Sequence, residues 1–138
     1  MIDDMGIFRT TIEIAPLSAP NQRARLDDVM VDTGSEYNWI PAQVLADLGI
    51  TPVRVERFET ADGRVLEREV GYAFLYASGR EAPTIVVFAR GDDMVLLGAF
   101  GLEGLNLRVD LARKEFVPAG PVPVAPARHH DRFVGQIG

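Results

Sequence analysis

The sequence predicts an all-β domain with one or two short helices, on three observations. Short runs alternate between apolar and polar residues, as in residues 7–14 and 105–111. The pair Asp62-Gly63 separates two extended runs, which is a strong signal for a β-hairpin. A proline opens an amphipathic segment at Pro41, where we expect a short helix.

Length and composition indicate one globular domain. The chain has 138 residues, of which 47% are hydrophobic and 25% are charged, enough for a single core. The net charge is −6 and the basic residues are scattered, which argues against nucleic-acid binding. The absence of cysteine excludes disulfides and thiolate metal sites. Because the N-terminus lacks a signal-like apolar run and no segment reaches the length of a membrane span, we expect a cytoplasmic protein that binds no membrane.

Strands and one helix fill the first part of the chain. Residues 7–14, 26–32 and 37–40 predict strands, and the turn-forming residues between the first two predict a loop. The helix after Pro41 is expected to end at Gly49 in a left-handed cap. Its apolar residues share one face: Val44, Leu45 and Leu48.

The second part predicts a hairpin, further strands and a tail. Strands are expected at residues 52–60, 64–77, 83–90, 94–98, 105–111 and 114–117, with a helical turn at 99–104. The long strand carries Leu66, Val70, Tyr72, Phe74 and Tyr76 on one face, which predicts core or interface positions. From Pro118 the chain is rich in proline and cannot form a sheet interior. We therefore predict a domain over residues 1–117 and a tail over 118–138.

One short segment carries chemistry. Asp32 stands at the end of an apolar strand and is followed at once by Thr33 and Gly34. Peptide hydrolysis without a metal needs a base for water and an acid for the leaving amine, and two adjacent carboxyl groups sharing one proton supply both. The chain carries this segment once. The central question is therefore where the second carboxylate comes from.

These residues carry a resemblance to a known family. The segment at residues 29–41, VMVDTGSEYNWIP, resembles the active-site segment of the aspartic proteases. Leu96-Leu97-Gly98 resembles that family's later element of two hydrophobic residues and a glycine, and the hairpin lies between the two elements, where the family has its flap. Because the chain is one lobe long, it is most similar to the retropepsin-like branch, the retroviral-type single-lobe aspartic proteases.

The resemblance implies a fold and an activity. It implies a closed acid-protease barrel lobe that functions as a two-fold homodimer, and an aspartic endopeptidase in which Asp32 of each subunit activates one water. Thr33, Gly34 and Ser35 would support the active site. The flap over the substrate would consist of Thr60, Ala61, Asp62, Gly63 and Arg64. The substrate would be an extended peptide or protein, apolar around the scissile bond, and no metal or organic cofactor would be needed.

Other interpretations stay open beside this one. The lobe is alternatively a non-catalytic dimerisation or peptide-binding module, or one half of a hetero-assembly in which a different lobe supplies the second Asp-Thr-Gly. A Ser35 hydroxyl donating to the carboxylate would favour its charged form and predicts an acid-shifted activity optimum. Tyr37 and Trp39 are expected to pack rather than line a pocket. Two pairs are expected to be solvent-exposed: Asp92-Asp93 and His129-His130.

Overall fold

The computed structural model describes residues 8–126. Its strands are β1 (Phe8–Ala15), β2 (Ala24–Val31), β3 (Asn38–Pro41), β4 (Arg54–Glu59), β5 (Val65–Ala77), β6 (Arg80–Ala89), β7 (Leu96–Leu97), β8 (Leu107–Asp110) and β9 (Glu115–Pro118). Its helices are α1 (Ala42–Asp47) and α2 (Ala99–Leu105). The prediction of a mostly β fold with short helices is therefore confirmed.

Helix α1 follows its sequence signals with one difference at the N-terminus. Pro41 is the N-cap residue, with φ −53° and ψ 130°, rather than the first helical residue, because it also ends β3. Leu45 is fully buried. Gly49 has φ +76°, and its N–H donates to the carbonyl of Ala46 at 2.9 Å, which closes the helix with the expected left-handed glycine.

Seven strands form one sheet in the order β1-β2-β7-β3-β6-β5-β4, and β1 pairs additionally with β5. The short strand β7 lies between β2 and β3. It pairs with β2 in parallel, with Val31 opposite Leu97, and with β3 in antiparallel orientation, with Trp39 opposite Leu96. The loop between β2 and β3 therefore begins and ends beside β7, which places Asp32 next to Leu97.

The core lies between the sheet and the two helices. Its fully buried side chains come from β1, β2, β3, α1, β5, β6 and β7: Ile12, Ile14, Val29, Ile40, Leu45, Leu75, Val70, Val86, Val87 and Leu97. The run in β6 is buried on both faces from Val86 to Ala89, as its continuous apolar sequence predicts.

The buried face of β5 changes near Gly71. Leu66 and Val70 turn inward as predicted, but Tyr72 is 45% exposed, and Ala73 and Leu75 are buried instead. At Val70 the strand passes from pairing with β4 to pairing with β6. Tyr72 therefore does not lie in the core of this lobe, and its alternative placement at an interface stays a prediction. Tyr76, on the same face, is buried at 7% exposure, so both faces of β5 are buried toward its end.

The C-terminal strands β8 and β9 form a separate two-stranded sheet. Phe116 of β9 meets Phe8 of β1 edge-on, with ring centroids 5.0 Å apart. Beyond Pro118, the N–H of Ala119 donates to the carbonyl of Asn106 at 3.0 Å. The predictions for His129 and His130 and for most of the tail fall outside the described residues. Within residues 8–126, none of the helices is both long and apolar enough to cross a membrane.

Candidate active site

The Asp-Thr-Gly turn holds the Asp32 carboxylate in place with backbone groups. The N–H of Asp32 donates to the carbonyl of Leu97 at 2.9 Å, and the N–H of Gly34 donates to Oδ1 of Asp32 at 2.9 Å. A Cβ at position 34 would lie 3.2 Å from that same oxygen. Gly34 therefore lets the backbone approach the carboxylate closely enough to bind it. Thr33 is exposed beside it.

Ser35 supports the loop rather than the carboxylate. Its hydroxyl donates to the carbonyl of Tyr37 at 3.1 Å, and its own N–H donates to the carbonyl of Asp32 at 3.1 Å. The expected hydrogen bond from the Ser35 hydroxyl to the Asp32 carboxylate is therefore not formed in this lobe, so the predicted acid-shifted optimum loses its structural basis. The hydroxyl instead stabilises the turn that leads from Asp32 into β3.

Asn38 joins the active-site loop to Gly98, and the sequence reasoning missed it. Its side chain is fully buried and makes three hydrogen bonds, each at 2.9 Å. The amide nitrogen donates to Oγ1 of Thr84 and to the carbonyl of Ile85, and Oδ1 accepts from the N–H of Gly98. A single amide inside the apolar run Tyr37–Ile40 is the signal that could have revealed it, because a buried amide needs partners.

Gly98 is tightly enclosed by the same loop. A Cβ at this position would lie 2.7 Å from the carbonyl oxygen of Ser35 and closer still to that of Tyr37. The next two residues begin α2, and their N–H groups donate to the loop: Ala99 to the carbonyl of Ser35 at 2.7 Å, and Phe100 to that of Glu36 at 2.9 Å. The glycine of Leu96-Leu97-Gly98 is thus required for the loop and the helix to meet.

The hairpin between β4 and β5 carries the five residues predicted to form the flap. Its tip, residues 60–64, is closed by the N–H of Thr60 donating to the carbonyl of Arg64 at 2.8 Å and by Gly63 at φ +86°. The Thr60 hydroxyl donates to the Asp62 carboxylate, and Arg64 pairs with that carboxylate at 3.3 Å. This network lowers the pKa of Asp62, chiefly through the Thr60 hydroxyl. Local polar contacts therefore order the tip in place of a glycine-rich sequence.

A cleft of about 750 Å³ separates the active-site loop from this hairpin. Six of the predicted site residues line it: Asp32, Gly34, Ser35, Thr60, Ala61 and Arg64. Thr33, Asp62 and Gly63 do not. One wall is aromatic, because Phe58 of β4 packs edge-on against both Trp39 at 5.0 Å and Tyr37 at 5.6 Å between ring centroids. Tyr37 and Trp39 thus pack, as predicted, but the expectation that they do not line a pocket is wrong, because both line the cleft.

An ion pair joins β5 of the hairpin to the segment between β6 and β7. Arg68 of β5 binds Asp93 through two hydrogen bonds, Nε to Oδ2 at 2.6 Å and Nη2 to Oδ1 at 2.9 Å. The N–H of Arg90 also donates to Asp93 at 2.9 Å. The Arg68 guanidinium holds the pKa of Asp93 below its ordinary value. The expectation that Asp93 is a solvated loop charge is wrong, since its side chain is 9% exposed.

Replacement of Asp93 by Asn is expected to destabilise the fold by about 2 kcal/mol at pH 7, because a charged, bidentate contact is lost. A carboxylate with a lowered folded-state pKa stabilises the fold above the unfolded pKa of about 4, and this contribution disappears as the pH falls through the folded-state value. Urea unfolding at pH 7 and at pH 2.5 checks both points.

The wild type should therefore be more stable than the Asp93→Asn variant at pH 7, and the difference should be smaller at pH 2.5. Asp27→Asn is the matched control, because its pair with Arg25 is exposed and should contribute little. Equal free energies of unfolding for the wild type and Asp93→Asn at pH 7 would show that the ion pair does not stabilise the fold.

The site favours carboxylate chemistry. Within residues 8–126 there is no cluster of three His, Asp or Glu residues placed to hold a metal ion. Asp32 lies in the cleft with its carboxylate oriented by a backbone N–H, and residues of the hairpin line the same cleft. The lobe thus contributes one Asp-Thr-Gly carboxylate, that of Asp32, to the cleft.

Comparison with known proteins found one family match and similar solved structures. A family described as aspartyl protease matches residues 20–99, which include Asp32, the hairpin tip and Gly98. Among solved structures, the solution structure of the simian foamy virus (mac) protease aligns with a TM-score of 0.47 and 19% sequence identity, over 69% of this chain and 91% of that chain. None of the curated proteins matches. Because the family match spans more than half of the sequence, the chain belongs to the aspartyl protease family, as its retropepsin-like resemblance predicts.

Proposed function

We propose that this protein is an aspartic endopeptidase that works as a homodimer, with one Asp32 from each subunit. The observation that carries the proposal is the Asp32 carboxylate, fixed by the Gly34 N–H at 2.9 Å and facing a cleft beneath a hairpin. The chain supplies one such carboxylate, and the chemistry needs two. A second copy of the same lobe is the simplest source.

The proposed reaction uses the two carboxyl groups as base and acid. The two aspartates share one proton, because like charges at close range cannot both ionise. The ionised carboxylate takes a proton from water as the water oxygen attacks the peptide carbonyl carbon, and the other carboxyl group donates its proton toward the carbonyl oxygen. The carboxyl group that took the proton from water then gives it to the nitrogen as the C–N bond breaks. The other carboxylate takes back a proton from a hydroxyl of the collapsing intermediate, which restores one shared proton.

The supporting residues have separate proposed roles. Thr33 is exposed next to Asp32 and would contact the same residue of the second subunit across a two-fold axis. Gly34 and Ser35 hold the turn through the contacts described above. The tip formed by residues 60–64 would cover an extended peptide. The hydrogen bonds and the ion pair within the tip support the proposal that it covers the peptide in one conformation, although its sequence is not glycine-rich.

The architecture fits this proposal. The additional pairing of β1 with β5 supports a sheet that closes into a barrel. Phe8 and Phe116 bring the first and last strands together, so that both ends of the domain are available to a shared interface. A cytoplasmic location is part of the same proposal.

The test is cleavage of a degenerate peptide library from pH 3 to pH 8, with sedimentation of the same preparation. We expect cleavage that a hydroxyl-containing transition-state mimic blocks, from a protein that sediments as a dimer. A dimer that cleaves nothing would favour the peptide-binding module. A monomer at all concentrations without activity would favour a hetero-assembly.

A further inference from the structure

The charges that line the cleft are mostly negative. The acidic residues of the lining are Asp32, Glu36, Glu56, Glu59, Asp92 and Asp93. The basic residues of the lining are Arg57 and Arg64. Acidic residues therefore outnumber basic residues in the lining that a bound peptide would meet.

Ion pairs neutralise part of this charge. Glu56 pairs with Arg54 at 2.7 Å, and Asp93 pairs with Arg68 at 2.6 Å. Arg64 is turned toward Asp62, outside the lining, at 3.3 Å. Of the lining acids other than Asp32, those without an ion pair among residues 8–126 are all exposed: Glu36, Glu59 and Asp92. They face one basic residue without such a pair, Arg57, so the accessible charge of the cleft is negative.

Two of these acids extend from anchored backbone. The carbonyl of Glu36 accepts the Phe100 N–H at 2.9 Å, which fixes the start of its side chain four residues after Asp32. Asp92 precedes Asp93, which is held by Arg68 and by the Arg90 N–H. An acid on a fixed backbone keeps its position without the ligand, so less entropy is lost when a cation binds.

The remainder of the lining is apolar. It consists of an aromatic wall with aliphatic residues beside it: Tyr37, Trp39, Phe58, Leu66, Met94 and Leu96. These side chains suit apolar peptide residues, and the exposed acids lie among the same lining residues, open to solvent. An extended peptide of mixed character fits such a cleft better than a uniformly apolar one.

We propose that the cleft selects extended peptides in which Lys or Arg flanks an apolar centre, with Glu36 and Asp92 as the specificity-determining residues. This inference rests on the proposed function, because it assigns the substrate class of the same site. Complementary charge at a partly enclosed cleft raises the local concentration of a cationic ligand and disfavours an anionic one. Salt screens exposed charges, so the preference must weaken as ionic strength rises.

The test measures peptide binding to the Asp32→Asn variant, which keeps the cleft but should not consume the probe. Three fluorescent decapeptides share a Leu-Phe centre and carry Lys, norleucine or Glu at the third residue on each side. We expect the Lys peptide to bind about fivefold more tightly than the norleucine peptide at low salt. We expect the Glu peptide to bind most weakly, and the differences to shrink in 0.5 M NaCl.

Substitutions in the same background assign the preference to residues. Glu36→Gln combined with Asp92→Asn should reduce the preference for Lys over norleucine to twofold or less. Glu81→Gln is the matched control, because Glu81 is an exposed acid of β6 outside the cleft, and it should keep the fivefold preference. Equal binding of the Lys and norleucine peptides, or binding of none of the three, overturns the proposal.

Cleavage separates this proposal from the one on which it rests. The wild type is incubated with the same three peptides and the products are identified by mass. A Lys preference in binding without cleavage of any peptide would count against the endopeptidase alone. Cleavage of all three peptides at equal kcat/KM would leave the endopeptidase standing and overturn the charge selection.

Discussion

Replacement of Asp32 by Asn is expected to abolish peptide cleavage, with a loss of at least about 10³-fold in kcat/KM. The amide has nearly the same shape as the carboxylate, and its oxygen can still accept the Gly34 N–H, so the turn should persist. An amide cannot take a proton from water. The measurement is cleavage of a fluorogenic peptide, with circular dichroism to verify the fold.

Asp47→Asn provides the matched control for Asp32→Asn. Asp47 is an exposed acid at the end of α1, away from the cleft, so the same chemical change there should leave cleavage intact. An Asp32→Asn variant that keeps more than about a tenth of the wild-type rate would contradict a role for this carboxylate in the reaction.

Mixing the wild type with the Asp32→Asn variant tests the homodimer separately. If each active centre takes one Asp32 from each subunit, every mixed dimer lacks one carboxylate. Activity should then fall with the square of the wild-type fraction once subunits exchange. A linear fall would show that a single chain holds the complete centre.

Replacement of Gly98 by Ala is expected to destabilise the fold by about 4 kcal/mol or more, the second largest effect. The backbone of Gly98 has φ −101°, which alanine tolerates, so the cost is steric. The added Cβ would meet the carbonyl oxygens of Ser35 and Tyr37, which belong to the backbone and cannot rotate away. The active-site loop would have to separate from β7.

The measurement is urea unfolding, followed by circular dichroism. Gly104→Ala is the control for Gly98→Ala, because Gly104 lies in α2, the helix that Gly98 precedes. Its Cβ would meet the side chain of Ala82 at 3.2 Å, and the helix propensity gained, about 1 kcal/mol, offsets that tight contact. We expect Gly104→Ala to stay within about 1 kcal/mol of the wild type. Similar stabilities for the two variants would show that the loop does not need the close approach at position 98.

The sequence predicts the elements of this fold well because each follows from local chemistry. Strand alternation locates β1, the Asp-Gly pair locates the hairpin tip, and Pro41 and Gly49 bound the helix between them. Positions that depend on distant neighbours were predicted less well. Tyr72 is 45% exposed although the alternation of β5 places it on the same face as Val70, because burial depends on which elements pack against each part of the strand.

In the candidate site, too, the sequence predicts the local turn but not the long-range contacts. Asp32, Thr33 and Gly34 are recognisable from the sequence because the turn needs those residue types next to one another. The contacts that fix the turn are long-range: Leu97 accepts the Asp32 N–H, and Asn38 accepts the Gly98 N–H. Residues more than fifty positions apart form these hydrogen bonds, and no local pattern encodes them.

The sequence by itself thus determined the mostly β character, the one short turn with carboxylate chemistry and the family to which the chain belongs. Only the tertiary structure decided where the Ser35 hydroxyl points, that Asp93 is paired with Arg68, and that exposed acids line the cleft. The physical reason is that propensity and turn geometry act between neighbours in the chain. Hydrogen-bond partners, burial and net charge at a site depend on which distant residues the packed sheet brings together.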